Sequence, residues 1–350
     1  MTLSAKENYL RLGRGEMPEY VPWWVMGGGW GKIDESVPAL SVNPSAPEIV
    51  GNRPGRGPDG KLLVTEYTDM WGVPYVANDE TGWQFLPRTW DFHVKDITKW
   101  DQYVKKPELD VNTIDWVTMS QKDLSRVNRE ITGVMSGAGF GPFQRLVAHL
   151  GFSEALMALA EEPEAVEEML NYICDFYEPI AEKVVEYYTP DLFNVTDDSA
   201  SGLNPFFSYQ ILKDIFKPLY LRTTKYAMNR GIPVQYHNCG RCEDMLPDMM
   251  DVGVVYWDPA QTKNDLLAVK EKYKGKLVVC GGYDFVPEDP ANVGEEEIRS
   301  YIRGVLDELA PGGGYAFCGM YLGRADWADH VAQVNLWMQD EVNTYGKTFY

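Results

Sequence analysis

The chain has 350 residues, 45% hydrophobic and 24% charged, with 22 prolines and 32 glycines, a globular composition with enough apolar material for a substantial core. Its length suits one large domain or two medium ones. Acidic residues outnumber Lys plus Arg by 52 to 32, a formal charge of −20, so a nucleic-acid backbone would be repelled over most of the surface.

The apolar runs are too short and interrupted to span a bilayer. The opening MTLSAKENYLRLGRGEMPEYV lacks the basic-then-apolar pattern of a signal peptide. A cytoplasmic protein, with neither nucleic acid nor membrane as a partner, is expected.

The first 125 residues or so are irregular. Six tryptophans, Trp23, Trp24, Trp30, Trp71, Trp83 and Trp90, crowd into the first ninety residues. They either pack this part against the rest of the chain or line a mouth for an apolar or aromatic substrate. Two strands are expected here, around VPWWVM (21–26) and VTEYTDMWGVPYV (64–76), separated by the proline- and glycine-rich stretch 43–60. GAGFGPF (137–143) lacks the spacing of a phosphate-binding loop and reads as a turn.

From about residue 130 short apolar segments alternate with long amphipathic ones. Strands are expected at 131–136, 192–196, 232–237, 253–257, 276–282 and 314–318. The intervening helix 163–188 repeats Val166, Met169, Leu170, Ile173 and Phe176 at helical spacing. Further helices are expected in 208–231, 263–275, 294–313 and 325–342. Strand–helix units in series call for a parallel sheet. The reading is an α/β chain forming one domain over residues 1–350, a (β/α)8 TIM barrel with an irregular, aromatic-rich N-terminal extension.

Active sites of such barrels are built from residues just after the strands. Those positions hold Asp197 and Asp198, His237 and Cys239, Asp258, Tyr283 and Asp284, and Cys318. His237 and Cys239 end one strand and Cys318 ends another, which suits a zinc site with three nitrogen and sulfur ligands and an open fourth position. Asp197 and Asp198 either cap the next segment or supply a ligand or an acid–base group, and Tyr283 is a further catalytic candidate. Taken alone, His237 also reads as a partly buried histidine bonded to backbone. Five cysteines without a secretion signal argue against a disulfide framework. Cys174 and Cys280 read as core. Cys242, which completes a Cys-x-x-Cys with Cys239, reads as a fourth ligand, a redox partner or a residue lining the next helix.

GIPVQYHNCGRCEDMLPDMMDVGVVYWDPAQTKNDLLAVKEKYKGKLVVCGGYD resembles the C-terminal half of the uroporphyrinogen decarboxylase superfamily. FGPFQRLVAHLGFSEALMALAEEPEAVEEML and SYQILKDIFKPLYLRTTKYAMNRG resemble it as well, with a looser echo in TEYTDMWGVPY. The resemblance covers about residues 130 to 340 and implies a (β/α)8 barrel. Decarboxylases of the superfamily carry an arginine-rich Met-Arg-Gln-Ala-Gly-Arg stretch where this chain has VPWWVMGGGWGKID. The other branch, corrinoid-dependent methyltransferases, binds zinc through His-x-Cys and a distant cysteine, a pattern matched by His237, Cys239 and Cys318.

The resemblance therefore implies a cobalamin-linked methyltransferase. It would use Zn2+, a small-molecule methyl donor or acceptor (an aryl methyl ether, or a thiol such as coenzyme M) and a separate corrinoid protein. A metal-free lyase and a binding protein with a closed structural zinc site are the alternatives. An acidic docking face for a partner protein is a further reading of the negative charge.

Overall fold

The structure is a computed structural model that describes residues 3–25, 37–55, 57 and 61–350. Eight strands form one parallel sheet: β1 (Trp23–Trp24), β2 (Ala39–Ser41), β3 (Gly133–Ser136), β4 (Leu192–Thr196), β5 (Val234–His237), β6 (Val254–Ala260), β7 (Val278–Gly282) and β8 (Tyr315–Cys318). They pair in the order β1-β8-β7-β6-β5-β4-β3-β2, so the first two strands flank the other six.

The sheet curls around a single interior. Trp24, Ala39 and Met135 share one buried cluster with Leu192, Tyr256, Val278, Cys280, Ala316 and Cys318. This is the filled interior of a (β/α)8 barrel, built from alternate residues of its strands. The other set, including Trp23, Val134, Phe193, Tyr236, Val279 and Phe317, faces the helices.

The N-terminal helix α1 (Ala5–Gly13) closes the floor of the barrel. Ser4 caps it, its hydroxyl accepting from Glu7 N at 3.2 Å. Tyr9 and Leu12 recur on one face and enter the interior cluster. The Tyr9 ring lies between Trp24 and Tyr256, with centroids 4.8 and 4.6 Å away. Gly13 is needed where the helix meets the floor, because a Cβ there would lie 2.3 Å from the Tyr256 hydroxyl oxygen.

The helices that follow the strands fall where their periodicity places them. Pro163–Tyr187 buries the face that carries Val166, Met169, Leu170, Ile173 and Phe176, with Cys174 among them. Lys217–Met228, Leu266–Lys272, Glu295–Leu309 and Ala328–Tyr345 complete the outer layer.

The N-terminal extension corrects one expectation. Residues 64–76 do not supply a barrel strand; Ala39–Ser41 does, pairing with Gly133–Met135. Instead Glu66–Thr68 and Pro74–Val76 pair antiparallel, joined by Leu86–Pro87. The cause is local. Asp69 Oδ1 accepts from Trp71 N and Val73 N, both at 2.9 Å, and Gly72 adopts φ 86°, which folds the chain into a hairpin. Trp71 is buried and its Nε1 donates to the Tyr177 hydroxyl, which ties the hairpin to the helix after β3. Trp23 and Trp24 belong to the barrel itself, Trp83 and Trp90 are exposed, and Trp30 lies outside the described residues. No helix among the described residues is long and apolar enough to cross a membrane.

Candidate metal centre

Strand register creates the site. Thr196, His237 and Asp258 stand side by side across β4, β5 and β6 at the C-terminal rim. The next residues, Asp198 and Cys239, turn back over the strand ends. The Cys239 backbone N–H donates to Asp198 Oδ1 at 2.9 Å, and Gln144 Nε2 holds Oδ2 at 3.1 Å.

Asp198, His237 and Cys239 each offer one ligand atom within 4.8 Å of the others, the only such trio among the described residues. His237 Nε2 lies 3.8 Å from Cys239 Sγ and 3.7 Å from Asp198 Oδ1. Tetrahedral zinc with bonds of about 2.0–2.3 Å sets its ligand atoms roughly 3.3–3.8 Å apart. Imidazole, thiolate and carboxylate are also the donor types that zinc takes. The residues present fit that ion.

His237 is oriented from beneath. Its Nδ1 lies 2.6 Å from Asp258 Oδ1, and Asp258 is itself buried. A carboxylate offers only acceptors, so Nδ1 keeps a proton and Nε2 is the nitrogen left to face the rim. Burial works against the charged imidazole, but the Asp258 charge and hydrogen bond, helped by Cys239 and Asp198, push its pKa up to about 11. In the metal-free site the ring is therefore an imidazolium at neutral pH, and a metal ion would displace the proton on Nε2.

The other expected residues divide. Asp197 is wholly buried and faces away from the trio: its oxygens accept from Phe143 N and Gln144 N, both at 2.8 Å, and from the Tyr220 hydroxyl at 2.7 Å. It caps the helix Pro142–Leu150, which has no side-chain cap of its own. Burial, opposed by these bonds, pushes its pKa up to about 7. Tyr283 packs outside the strands, its ring 5.8 Å from Tyr301 and 6.1 Å from Phe317, and its buried hydroxyl has no hydrogen-bond partner among the described residues.

Cys318 is buried on the inner face of β8, opposite Gly282 and Trp24. Its Sγ lies outside the 4.8 Å trio, yet Asp258, Cys280 and Cys239 are near enough that their charges, after burial, raise its pKa. Cys242 turns into the core, with its N–H on Asn264 Oδ1 at 2.9 Å and its sulfur 3.7 Å from Asn238 O. Burial pushes its thiol pKa up, and the Cys-x-x-Cys spacing does not bring it to the trio.

The residues missing from the sequence reading of the site are Gln144, Gln235, Trp24 and the role of Asp258. The available signal was Gln235, a lone amide inside the apolar run IPVQYH, since a polar side chain buried in a barrel strand must find partners.

No curated protein sequence matches the chain at a significant level. A solved structure, a methyltransferase from Methanosarcina mazei, shares the fold with a TM-score of 0.57 and 14% identity, over 97% of this chain and 99% of that one. The model of the uroporphyrinogen decarboxylase (URO-D) family matches residues 93–321, from the last part of the extension to just beyond β8. The chain belongs to the URO-D family.

Proposed function

We propose that the protein is a zinc-dependent methyltransferase of a corrinoid system, moving a methyl group between a small substrate and the cobalamin of a separate corrinoid protein. The observation that carries this reading is the convergence of His237, Cys239 and Asp198 at the rim, with His237 fixed by Asp258 below it. The fold shared with a methyltransferase from Methanosarcina mazei supports it.

His237, Cys239 and Cys318 are proposed as the protein ligands, with Asp198 in the fourth position, which substrate would take. Zinc bound there would act as a Lewis acid, keeping a thiol substrate as thiolate or easing departure of the heteroatom of a methyl ether. The chain's own residues do the rest. Asp258 keeps the Nδ1 proton in place, and Gln144 together with the Cys239 N–H steadies Asp198.

Family membership also raises a metal-free decarboxylase. A tetrapyrrole with several carboxylates needs unpaired cations at the mouth. Here Arg241 pairs with Glu243 at 2.8 Å, Lys263 with Asp284 at 3.9 Å and Arg145 with Asp69 at 3.1 Å. This favours the methyltransferase.

The test is methyl transfer by the full-length, zinc-supplied protein. Methylcobalamin with coenzyme M reports one direction; cob(I)alamin with aryl methyl ethers reports the other, both followed by corrinoid absorbance. Turnover in either direction, abolished by Cys239→Ala, is expected. No turnover in both directions, with decarboxylation that survives Cys239→Ala, would overturn the proposal.

A further inference from the structure

A file of buried polar side chains runs from the floor of the barrel to the candidate metal centre. Tyr9, on α1, donates its hydroxyl to Gln235 Oε1 at 2.8 Å. With that oxygen engaged, Gln235 presents Nε2 to Asp258 Oδ2 at 2.5 Å. Trp24 Nε1 donates to the same carboxylate oxygen. Asp258 Oδ1 is left to His237 Nδ1. Cys280 Sγ lies 3.3 Å from the Tyr9 oxygen, and since Tyr9 gives its proton to Gln235, the thiol is the donor there. All donors along the file point toward Asp258, an arrangement in which each bond polarises the next.

The file has a cost that packing does not require. Tyr9, Gln235 and Asp258 are 1%, 0% and 2% exposed, and buried polar groups are unfavourable unless every one is satisfied. Phenylalanine at position 9 would keep both aromatic stacks, and an aliphatic residue at 235 would match its neighbours. The hydroxyl and the amide therefore call for another role.

We infer that Tyr9 and Gln235 are positioning residues for the metal centre, acting through Asp258. Together with Trp24 they occupy Oδ2 and aim Oδ1 at His237, which keeps a proton on Nδ1 and presents Nε2 to a metal at the rim. The N-terminal helix thus contributes to metal affinity from the opposite end of the barrel. This inference rests on the metal reading proposed above.

The test uses the full-length protein and Co2+ alone as probe, read by its visible ligand-field bands. Tyr9→Phe should weaken Co2+ binding by about tenfold and Gln235→Met by about ten- to a hundredfold. The double variant should bind no more weakly than Gln235→Met, because both act through one path. Tyr256→Phe is the packing control. Its hydroxyl lies in the same stack but accepts from Gly13 N and meets the Tyr9 and Leu10 carbonyls, with no bond to Gln235. It should lower thermal stability and leave Co2+ affinity unchanged.

Folded Tyr9→Phe binding Co2+ as tightly as wild type would overturn the inference while the metal site stands. Equal weakening by Tyr256→Phe would overturn it too, by making the effect one of packing. A wild-type chain that binds no Co2+ would instead sink the metal reading, and this inference with it. If Gln235→Met fails to fold, the contrast between Tyr9→Phe and Tyr256→Phe decides.

Discussion

Asp258→Asn changes one atom in the centre of this arrangement, and its consequence can be worked out from the donors around it. Asp258 receives three: Trp24 Nε1 and Gln235 Nε2 on Oδ2, and His237 Nδ1 on Oδ1. Asparagine has a single acceptor oxygen and an NH2 group. Turned one way, the oxygen serves Trp24 and Gln235 while the NH2 faces His237; turned the other, two buried donors meet an NH2. Each buried polar group left unmatched costs about 1–3 kcal/mol, so the first orientation wins. His237 Nδ1 must then accept, which moves its proton to Nε2, where the metal ligand's lone pair belongs. Reversing that tautomer on metal binding costs about one such mismatch, roughly 1.4–2.8 kcal/mol, or 10- to 100-fold in affinity once competition from the Nε2 proton is taken out by measuring the affinity as a function of pH. Competition against a chromophoric zinc chelator measures it directly. Asp258→Asn that is folded and holds zinc as tightly as wild type would refute the reasoning.

Three further outcomes are expected. Cys242→Ser should keep the full zinc complement and lose about 1–3 kcal/mol of stability, whereas Cys239→Ser should lose the zinc; elemental analysis and thermal melting separate the two. Gly141→Ala would set a Cβ 2.3 Å from Thr196 O and 3.0 Å from Asp197 Oδ1; a loss of about 1–3 kcal/mol is expected from denaturant midpoints, with weaker zinc binding because Asp198 follows directly. His149 is buried, its Nε2 without a partner among the described residues and its Nδ1 3.0 Å from that of His93. Desolvation, then the charges of Arg145 and His93, hold its pKa well below the ordinary value. Below about pH 6.5 the unfolded chain takes up a proton that the folded chain refuses, so stability falls with pH by about 1.4 kcal/mol per unit. Unfolding at pH 7.5 and 5.5 should show this fall, and His149→Gln should flatten it by that amount. An identical pH dependence in the variant would contradict the assignment.

The sequence was most legible where one physical signal dominated. From β3 onward, strands buried on both faces alternate with amphipathic helices, and period alone separates them. β2 was lost because it is three residues long, between the proline and small residues of VPALSV. The hairpin at 66–76 was mistaken for one barrel strand because its apolar alternation continues across the turn; the turn-forming Asp69 and Gly72 were the evidence against it.

At the site, His237, Cys239 and Asp198 could be named from position alone, since a strand end in a barrel is a rim position. Which of two adjacent aspartates faces the rim could not, because it depends on the helix N-terminus that claims Asp197. Asp258 belongs to the site only through the register that sets it beside His237, and Tyr9 reaches Gln235 across 226 positions of chain. Such pairings follow from the curl of the sheet around its interior, which no local pattern encodes.

The most direct test of the account is zinc content together with zinc-edge X-ray absorption, on full-length protein purified anaerobically without chelators. One zinc per chain with two sulfur ligands, falling to one sulfur in Cys318→Ser, is the predicted result. Protein that contains no zinc, and takes up none when zinc is added, would contradict the proposal that a metal centre at His237, Cys239 and Cys318 carries the function.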